Sequence, residues 1–526
     1  MNKINHSPTP QEAAFTHPPA SDFCGVRIGD NGRLIPTAYN VVQTFETGKT
    51  PTMFYYISTN GCDQNPGTYE QPFATLVKAI TFAKPGTAIR LLPGNYRELG
   101  IGDVFYNVNG TEAEPIWVGG VPGMERPVIR EICFPSASYL VIHDLEVHGV
   151  SDVLHHGIHV SDDGIHESAH HVVIRGNYIH GITNSSFKVA GLYHGWYFDN
   201  ELGDGNFMRG SGDMDHVGGH FINAAYNYIW TGAGTGISFK GGSANCNIYG
   251  NLIVNAAESA ITMGQTSGAN FYRPPLERGT TVEAYNIRTF SNIIIGGNTA
   301  ASFSSSRDNY FVNNTVVLPT YFLFRILNQQ PEGNPNDLAY GGGARNGVVA
   351  NNIFLYDRQT AEPICIGPKT HPETFVIENN LFMNIDKALN ESGGESVADY
   401  KLPTLPLMDA KTTFVKDPLF ANMQNINFVS EVCASKPGYQ FDRDPQLKAE
   451  REARIAKITP EDLHLQPNSP AIAAGTEEAK AARETLAALT APNGGPEVRP
   501  VNFATHDFYG RPFKSPRSLG AIEFAK

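Results

Sequence analysis

Gly176-Asn177-Tyr178-Ile179 is one copy of a recurring unit. It returns as Asp199-Asn200-Glu201-Leu202, Tyr226-Asn227-Tyr228-Ile229 and Gly250-Asn251-Leu252-Ile253. It returns again as Ser291-Asn292-Ile293-Ile294, Asn313-Asn314-Thr315-Val316, Asn351-Asn352-Ile353-Phe354 and Asn379-Asn380-Leu381-Phe382. The closest copies lie 22 to 24 residues apart, such as Asn292 to Asn314 and Asn227 to Asn251. Wider gaps read as the same unit with an inserted loop. A period in this range signals a solenoid. Each copy is a turn residue followed by apolar or β-branched residues, which reads as a short strand entered from a bend. Asn tolerates a left-handed backbone, and its amide can bond the next Asn along the stack. One short strand per turn of chain, stacked in parallel, gives a parallel β-helix. A propeller blade needs four strands and a longer period.

Composition agrees. The chain has 526 residues with Gly 52, Pro 35 and only 17% charged residues, which suits a turn-rich all-β protein. The net charge of -13 argues against nucleic-acid binding, where phosphate contacts need a basic face. An acidic ligand held in a locally basic groove stays compatible with it. Cys24, Cys62, Cys133, Cys246, Cys365 and Cys433 are scattered without a C-x-x-C pair, so they read as free thiols. Met1 to Pro19 has no apolar core for a signal peptide, and no transmembrane span follows.

The organisation expected is an N-terminal extension over 1–50, a cap and first coil over 51–100, a parallel β-helix over 101–390, and a C-terminal cap over 391–526 with helical insertions. A helix over 71–84, with Phe73, Leu76, Val77 and Ile80 on one face and Pro85-Gly86 as its stop, would close the open end of the solenoid. Gln446 to Ile458 and Glu477 to Leu489 are charged, Ala-rich and helix-prone.

The run from Tyr55 to Glu98 resembles the opening of right-handed parallel β-helix proteins of the pectate-lyase-like superfamily. Gly236 to Pro274, Arg325-Ile326-Leu327, Asp462 to Gly475 and Asp507 to Phe524 resemble further parts of such proteins. The resemblance implies a single-stranded right-handed solenoid. It also implies a secreted polysaccharide lyase, glycoside hydrolase or epimerase, in an extracellular or periplasmic location.

A solenoid interior is filled by stacked apolar side chains, so chemistry must sit on an outer face or in loops. Aligning the strand before each Asn turn sends Val189, Phe239, Met263, Phe303 and Phe324 inward, with His216 among them. His159, Lys188, Asp215, Ser238, Thr262, Ser302 and Arg325 then face outward, with Lys240 two residues beyond Ser238. Lys188, Lys240 and Arg325 with Asp215 would suit a trough for acidic sugars. In β-elimination a base takes the proton α to a uronate carboxylate, and a cation steadies the enolate-like charge. A lysine near another cation is a candidate base. Solvated outer-face residues are the plain alternative.

Lys240 is similar in place to a lysine of the chondroitinase and alginate lyase branch. That branch also carries an arginine about one coil later and a carboxylate-bound Ca²⁺. Here the next coil offers Met263 and Gly264, and Arg325 lies further along. The catalytic candidates are therefore Lys240, Arg325, Lys188 and Asp215. His159, Gln265, Arg273 and Arg307 are the substrate-binding candidates. The loops 265–279 and 328–346 would flank the groove. No cofactor is required, and Ca²⁺ is the one candidate. The partner expected is an acidic polysaccharide, with neither nucleic acid nor membrane and with the oligomeric state open.

Other readings stay open. Asp199, Asp213 and Asp215 could serve a glycoside hydrolase, and a non-catalytic glycan-binding or structural β-helix needs no chemistry at all. The groups Asp162, Asp163, Glu167 and Asp199, Glu201, Asp204, Asp213, Asp215 could supply oxygen ligands, though loops account for the first group more simply. His155, His156, His159, His166, His170 and His171 match no zinc spacing. Tyr193, Trp196, Trp230, Phe271 and Tyr272 could stack on sugars or pack the fold.

Overall fold

The computed structural model describes residues 7, 25–28, 34–37, 42–97, 104–149, 156–162, 168–205, 212–230, 234–273, 275, 282–329, 343–357, 359–360, 362–385, 414–430, 444–477 and 505–525. The chain divides into two compact units, residues 1–234 and 235–526. The division falls inside the span expected to be one β-helix. In each unit the strands stack in parallel around three faces, the right-handed parallel β-helix expected from the Asn repeat. Among the described residues no helix is long and apolar enough to cross a membrane.

In the first unit one face stacks Ile132–Pro135, Ile158–Ser161, Phe187–Ala190 and Gly212–Val217. A second face begins at Met53–Ile57 paired with Thr87–Leu91, and a third carries Glu146–His148, Tyr178–His180 and Glu201–Gly203. Strands therefore stack within the segment expected to hold the cap and first coil. In the second unit the first face stacks Thr235–Lys240, Ile261–Gly264, Thr299–Ser304, Phe322–Leu327 and Ile364–Ile366. Its interior row Phe239, Met263, Phe303 and Ile326 is sealed from solvent. Phe324 also points inward, but opposite Ala301, one step earlier in the register.

The Asn residues form two buried ladders. In the first unit Asn177 Nδ2 donates to Asn200 Oδ1 at 3.0 Å, and Asn200 donates to Asn227 at 3.0 Å. In the second unit Asn251 donates to Asn292 at 2.9 Å and Asn292 to Asn314 at 2.9 Å. Asn314 donates to Asn352 at 3.2 Å, and Asn352 to Asn380 at 2.9 Å. The left-handed residue is the one before each ladder Asn: Gly176 at φ 65°, Asp199 at 56°, Tyr226 at 54° and Ser291 at 55°. The ladder Asn itself bonds neighbouring carbonyls as well, as Asn292 does to Ile248 O and Phe290 O. The preceding residue makes the bend, and the amide stitches the bends together.

The helix expected over 71–84 is only Leu76–Ile80. Asp63 accepts from the Ala74 and Thr75 amides and the Thr75 hydroxyl, and Thr75 caps Lys78 N. Phe73 is pulled out of the helix to bridge Ile57 in parallel, and Val77 is 55% exposed. The edge of Met53–Ile57 is thus covered by extended backbone rather than by a long helix.

Near the C-terminus Pro445–Ile455 is helical, with Asp444 as its N-cap. Arg451 is fully buried and forks onto Asp357 at 2.7 and 3.2 Å. The segment Glu477 to Leu489 lies outside the described residues beyond 477. The final stretch runs along the second unit, with Asn313 donating to Ser518 O and Ala521 N donating to Thr315 Oγ1. Within the N-terminal extension Gly25–Ile28 pairs antiparallel with Leu34–Thr37.

Candidate functional site

On the first face of the first unit the outward row is Cys133, His159, Lys188 and Asp215, one residue per coil. Coil stacking sets Lys188 beside Asp215, and the two form an ion pair. His159 is held neutral, with its pKa pushed down to about 4 by burial and then by the Lys188 ammonium. His216, on the opposite side of its strand, is a core ring stacked on Tyr197 at 5.4 Å.

On the first face of the second unit the outward row is Ser238, Thr262, Ser302, Arg325 and Cys365. Arg325 Nε donates to Ser302 Oγ at 2.6 Å. Burial lowers the pKa of its guanidinium. One step beyond the Phe239–Met263 pair come Lys240 and Gly264, and Gly264 pairs with Ser304. A Cβ on Gly264 would meet Ser304 O at 1.7 Å, so only glycine fits. Gly264 therefore brings backbone rather than a side chain into the row beside Lys240, packed against Ser304 O.

The loop after Gly264 folds back beside Lys240. Lys240 Nζ donates to Gln265 Oε1 at 3.4 Å. Arg273 N donates to Gly241 O at 3.0 Å, which roots Arg273 next to Lys240. The Arg273 guanidinium donates to the carbonyls of Asn270 and Tyr272 at 3.0 and 2.9 Å. Phe271 is 56% exposed on the same loop. Ser304 Oγ donates to Gln329 Oε1 at 2.8 Å, and Thr266 Oγ1 donates to Gln329 O. Of the second flanking loop, residues 330–342 lie outside the described residues, as do 274 and 276–279 of the first, Arg278 included.

Glu283 anchors this loop, and the sequence reading passed over it. Its buried carboxylate accepts from Gly241 N at 2.8 Å, Ser267 N at 2.7 Å and the Tyr272 hydroxyl at 2.5 Å. Burial raises its pKa, and these three bonds oppose the rise. No motif marks Glu283, because its partners are two backbone amides and a tyrosine from a loop. Tyr272 is thus a core-side anchor rather than a sugar platform.

Arg307 lies around the bend at Ser305, on the strand Ser306–Arg307, which pairs with Ala284–Tyr285 on a different face. Its guanidinium sits over the Tyr285 ring at 5.5 Å. Arg307 is therefore not on the face that carries Lys240 and Arg325. Trp196 packs edge-on to Phe45, Tyr193 stacks on His220, and Trp230 stacks on Tyr228, so these rings are packing elements.

The acidic residues do not converge. Asp213 and Asp215 lie on the strand Gly212–Val217, where Asp213 accepts from Ser186 Oγ at 3.0 Å. Glu201 is on the third face and Asp199 at a bend. Asp163, Glu167, His155 and His166 lie outside the described residues. Among the described residues these carboxylates form no group of three able to hold one ion.

Residues 59–106 match a family described as a protein of unknown function, DUF1565. An uncharacterized protein YwoF of Bacillus subtilis (strain 168) is 31% identical over 144 residues. That match spans 25% of this chain and 30% of the relative's length. Pectate lyase Pel9A is similar in structure at a TM-score of 0.47 and 14% identity, over 91% of this chain and 98% of that one. A PL6 family polysaccharide lyase from Pseudopedobacter saltans follows at 0.36 and 16%, over 65% and 91%. A GH136 lacto-N-biosidase from Eubacterium ramulus gives 0.37 and 15%, over 62% and 67%. The stacked parallel coils define the class as a right-handed parallel β-helix protein.

Proposed function

We propose that the chain is a polysaccharide lyase that cleaves a uronate-containing glycan by β-elimination on the first face of the second unit. The observation that carries this reading is Lys240, set beside the side-chain-free Gly264 and bonded to Gln265 on the loop that also carries Arg273 and Phe271. A sugar ring laid there would set its α carbon against the Lys240 amine. Lys240 accepts that proton. The C–H electrons form the new carbon–carbon double bond, and the glycosidic oxygen leaves and is protonated by solvent. Arg273, rooted beside Gly241, meets the substrate carboxylate, and exposed Phe271 offers a stacking face.

Arg325 takes a different role from the one the sequence suggested. It lies three strands from Lys240, roughly 14 Å at the usual strand spacing. It cannot oppose the carboxylate of the sugar on Lys240, so it holds a neighbouring sugar. A polysaccharide substrate also suits an extracellular or periplasmic location.

The test is a panel of acidic polysaccharides read by ultraviolet absorbance of unsaturated ends and by new reducing ends, with and without chelator. Lys240→Ala should lower the rate by at least about 10²-fold with the fold intact. Lys240→Arg should not rescue, because guanidinium stays protonated. Normal cleavage by Lys240→Ala would overturn the reading. A hydrolase reading keeps one support: Asp213 and Asp215 lie two apart on one strand and so share its face. Reducing ends without unsaturation, lost in Asp213→Asn, would favour it. Binding without any product would leave a glycan-binding solenoid.

A further inference from the structure

We propose that Glu146, His148 and His180 form a binding site for a divalent transition metal of the Zn²⁺ class on the third face of the first unit. The site follows from coil stacking. Glu146–His148 pairs in parallel with Tyr178–His180, placing Glu146 beside Tyr178 and His148 beside His180. Val147 and Ile179 are fully buried between them, so strand alternation turns all four flanking side chains outward. The two imidazoles stack with centroids 4.1 Å apart. Glu146 Oε1 lies 3.0 Å from His180 Nε2. One ligand atom from each of the three residues falls within 4.8 Å of the others.

The dimensions suit a metal. Metal–ligand bonds of roughly 2.05 Å at the tetrahedral angle put ligand atoms ~3.3 Å apart. The Glu146–His180 contact is already near that edge, and a bound ion would replace their hydrogen bond. The surroundings leave room on the Gly181 side. Gly181 turns the chain at φ 63°, and a Cβ there would stand 3.5 Å from His148 Nε2. The next coil places Gly203 opposite His180, and the Trp230 ring covers Gly203, closing that side of the site. Tyr178 stacks on the other side of His180 at 4.3 Å and holds the ring in place.

Donor chemistry selects the ion. Two imidazole nitrogens and one carboxylate oxygen suit Zn²⁺, Co²⁺ or Ni²⁺, whereas Ca²⁺ and Mg²⁺ take oxygen ligands. Three protein ligands leave an open position for water. Arg97 and Asp204 both act electrostatically on His148, the first against a cation and the second in its favour. The site uses none of the residues of the lyase reading, so it stands or falls independently of it.

The full chain, free of any affinity tag and stripped with chelator, is titrated with Zn²⁺ in a calorimeter, with Ca²⁺ as the control. One Zn²⁺ per chain should bind at micromolar affinity or better and raise the melting temperature. His148→Ala and His180→Ala should each weaken binding by at least about 100-fold. Glu146→Gln, which keeps the shape, should also weaken it, and circular dichroism should show all three variants folded. Co²⁺ in the same site should give a visible absorption band that the variants lose. Zn²⁺ binding no tighter than millimolar, or binding that survives in His148→Ala but is lost in His170→Ala/His171→Ala, would overturn the proposal.

Discussion

Lys188 donates its ammonium to Asp215 on the next coil, and the two side chains neutralise each other on the outer face of the first unit. Both are mostly covered, with side-chain exposures of 21% and 6%. Removing one partner therefore leaves a poorly hydrated charge. Asp215→Ala should cost about 1–3 kcal/mol in urea unfolding. The double variant Lys188→Met/Asp215→Leu should regain most of that loss, because neither charge then needs a partner. If Lys188→Met instead leaves stability unchanged and removes cleavage, Lys188 belongs to the chemistry and the pair is not structural.

The Asn ladder gives the largest expected stability effect. Asn292 donates to Asn314 Oδ1, Ile248 O and Phe290 O, and accepts from Asn251. All of these bonds but the one to Phe290 O are buried. Asn292→Ala leaves several of these groups without partners, at about 1–3 kcal/mol each. The protein should lose much of its cooperative unfolding transition. Asn292→Asp, close in shape but without the amide donors, should rescue little. A melting temperature unchanged in either variant would show that the ladder does not hold the coils.

Glu283 ties the loop carrying Gln265, Phe271 and Arg273 back to Gly241. Glu283→Gln keeps the volume but replaces one acceptor oxygen with a donor, so an amide or the Tyr272 hydroxyl loses its bond. Cleavage should fall at least tenfold while the melting temperature drops only slightly. Tyr272→Phe, which loses one bond of about 1 kcal/mol, should be milder. Hydrogen exchange in residues 265–273 should rise in both. Unchanged exchange would show that Glu283 does not set the loop.

Acid should destabilise the fold through its buried imidazoles. His143 has its pKa lowered to about 4 by burial and by the Arg90 guanidinium, which donates to Nε2 at 2.6 Å. His159 is lowered to about 4 by burial and Lys188. The unfolded histidine takes its proton near 6.5, and the folded one only near 4. Between those values the unfolded state binds more protons, so stability should fall as pH drops from 6.5 to 4. His159→Gln, which cannot titrate, should flatten part of that slope in urea melts. A flat profile in the wild type would show that these rings are protonated in the folded state.

The C-terminal helix is held by one buried pair. Arg451 forks onto Asp357, with both side chains sealed from water. Arg451→Leu leaves the Asp357 carboxylate buried alone and should cost about 3–5 kcal/mol. Asp357→Asn/Arg451→Leu should recover part of it. Equal melting temperatures for the wild type and Arg451→Leu would show that the helix end is open to solvent.

The repeat of Asn turns determined the fold class by itself, because a bend, an amide and a short apolar strand recurring at one interval have few ways to stack. It also determined which strand residues face outward, since strand alternation is local: His159, Lys188 and Asp215 share one row, and Ser238, Thr262, Ser302 and Arg325 another. Tertiary structure alone decided what those outward groups do. The row set Lys188 next to Asp215, and only the structure shows that the two close an ion pair. Lys240 and Arg325 share a face, yet three strand spacings separate them. Phe73 left its expected helix because Ile57 offered a strand edge. Glu283 and the Glu146, His148 and His180 cluster carry no motif, because coils bring together residues whose spacing in sequence depends on loop length. A solenoid's local pattern sets the coil, and the lengths of its loops set which side chains meet across the coils.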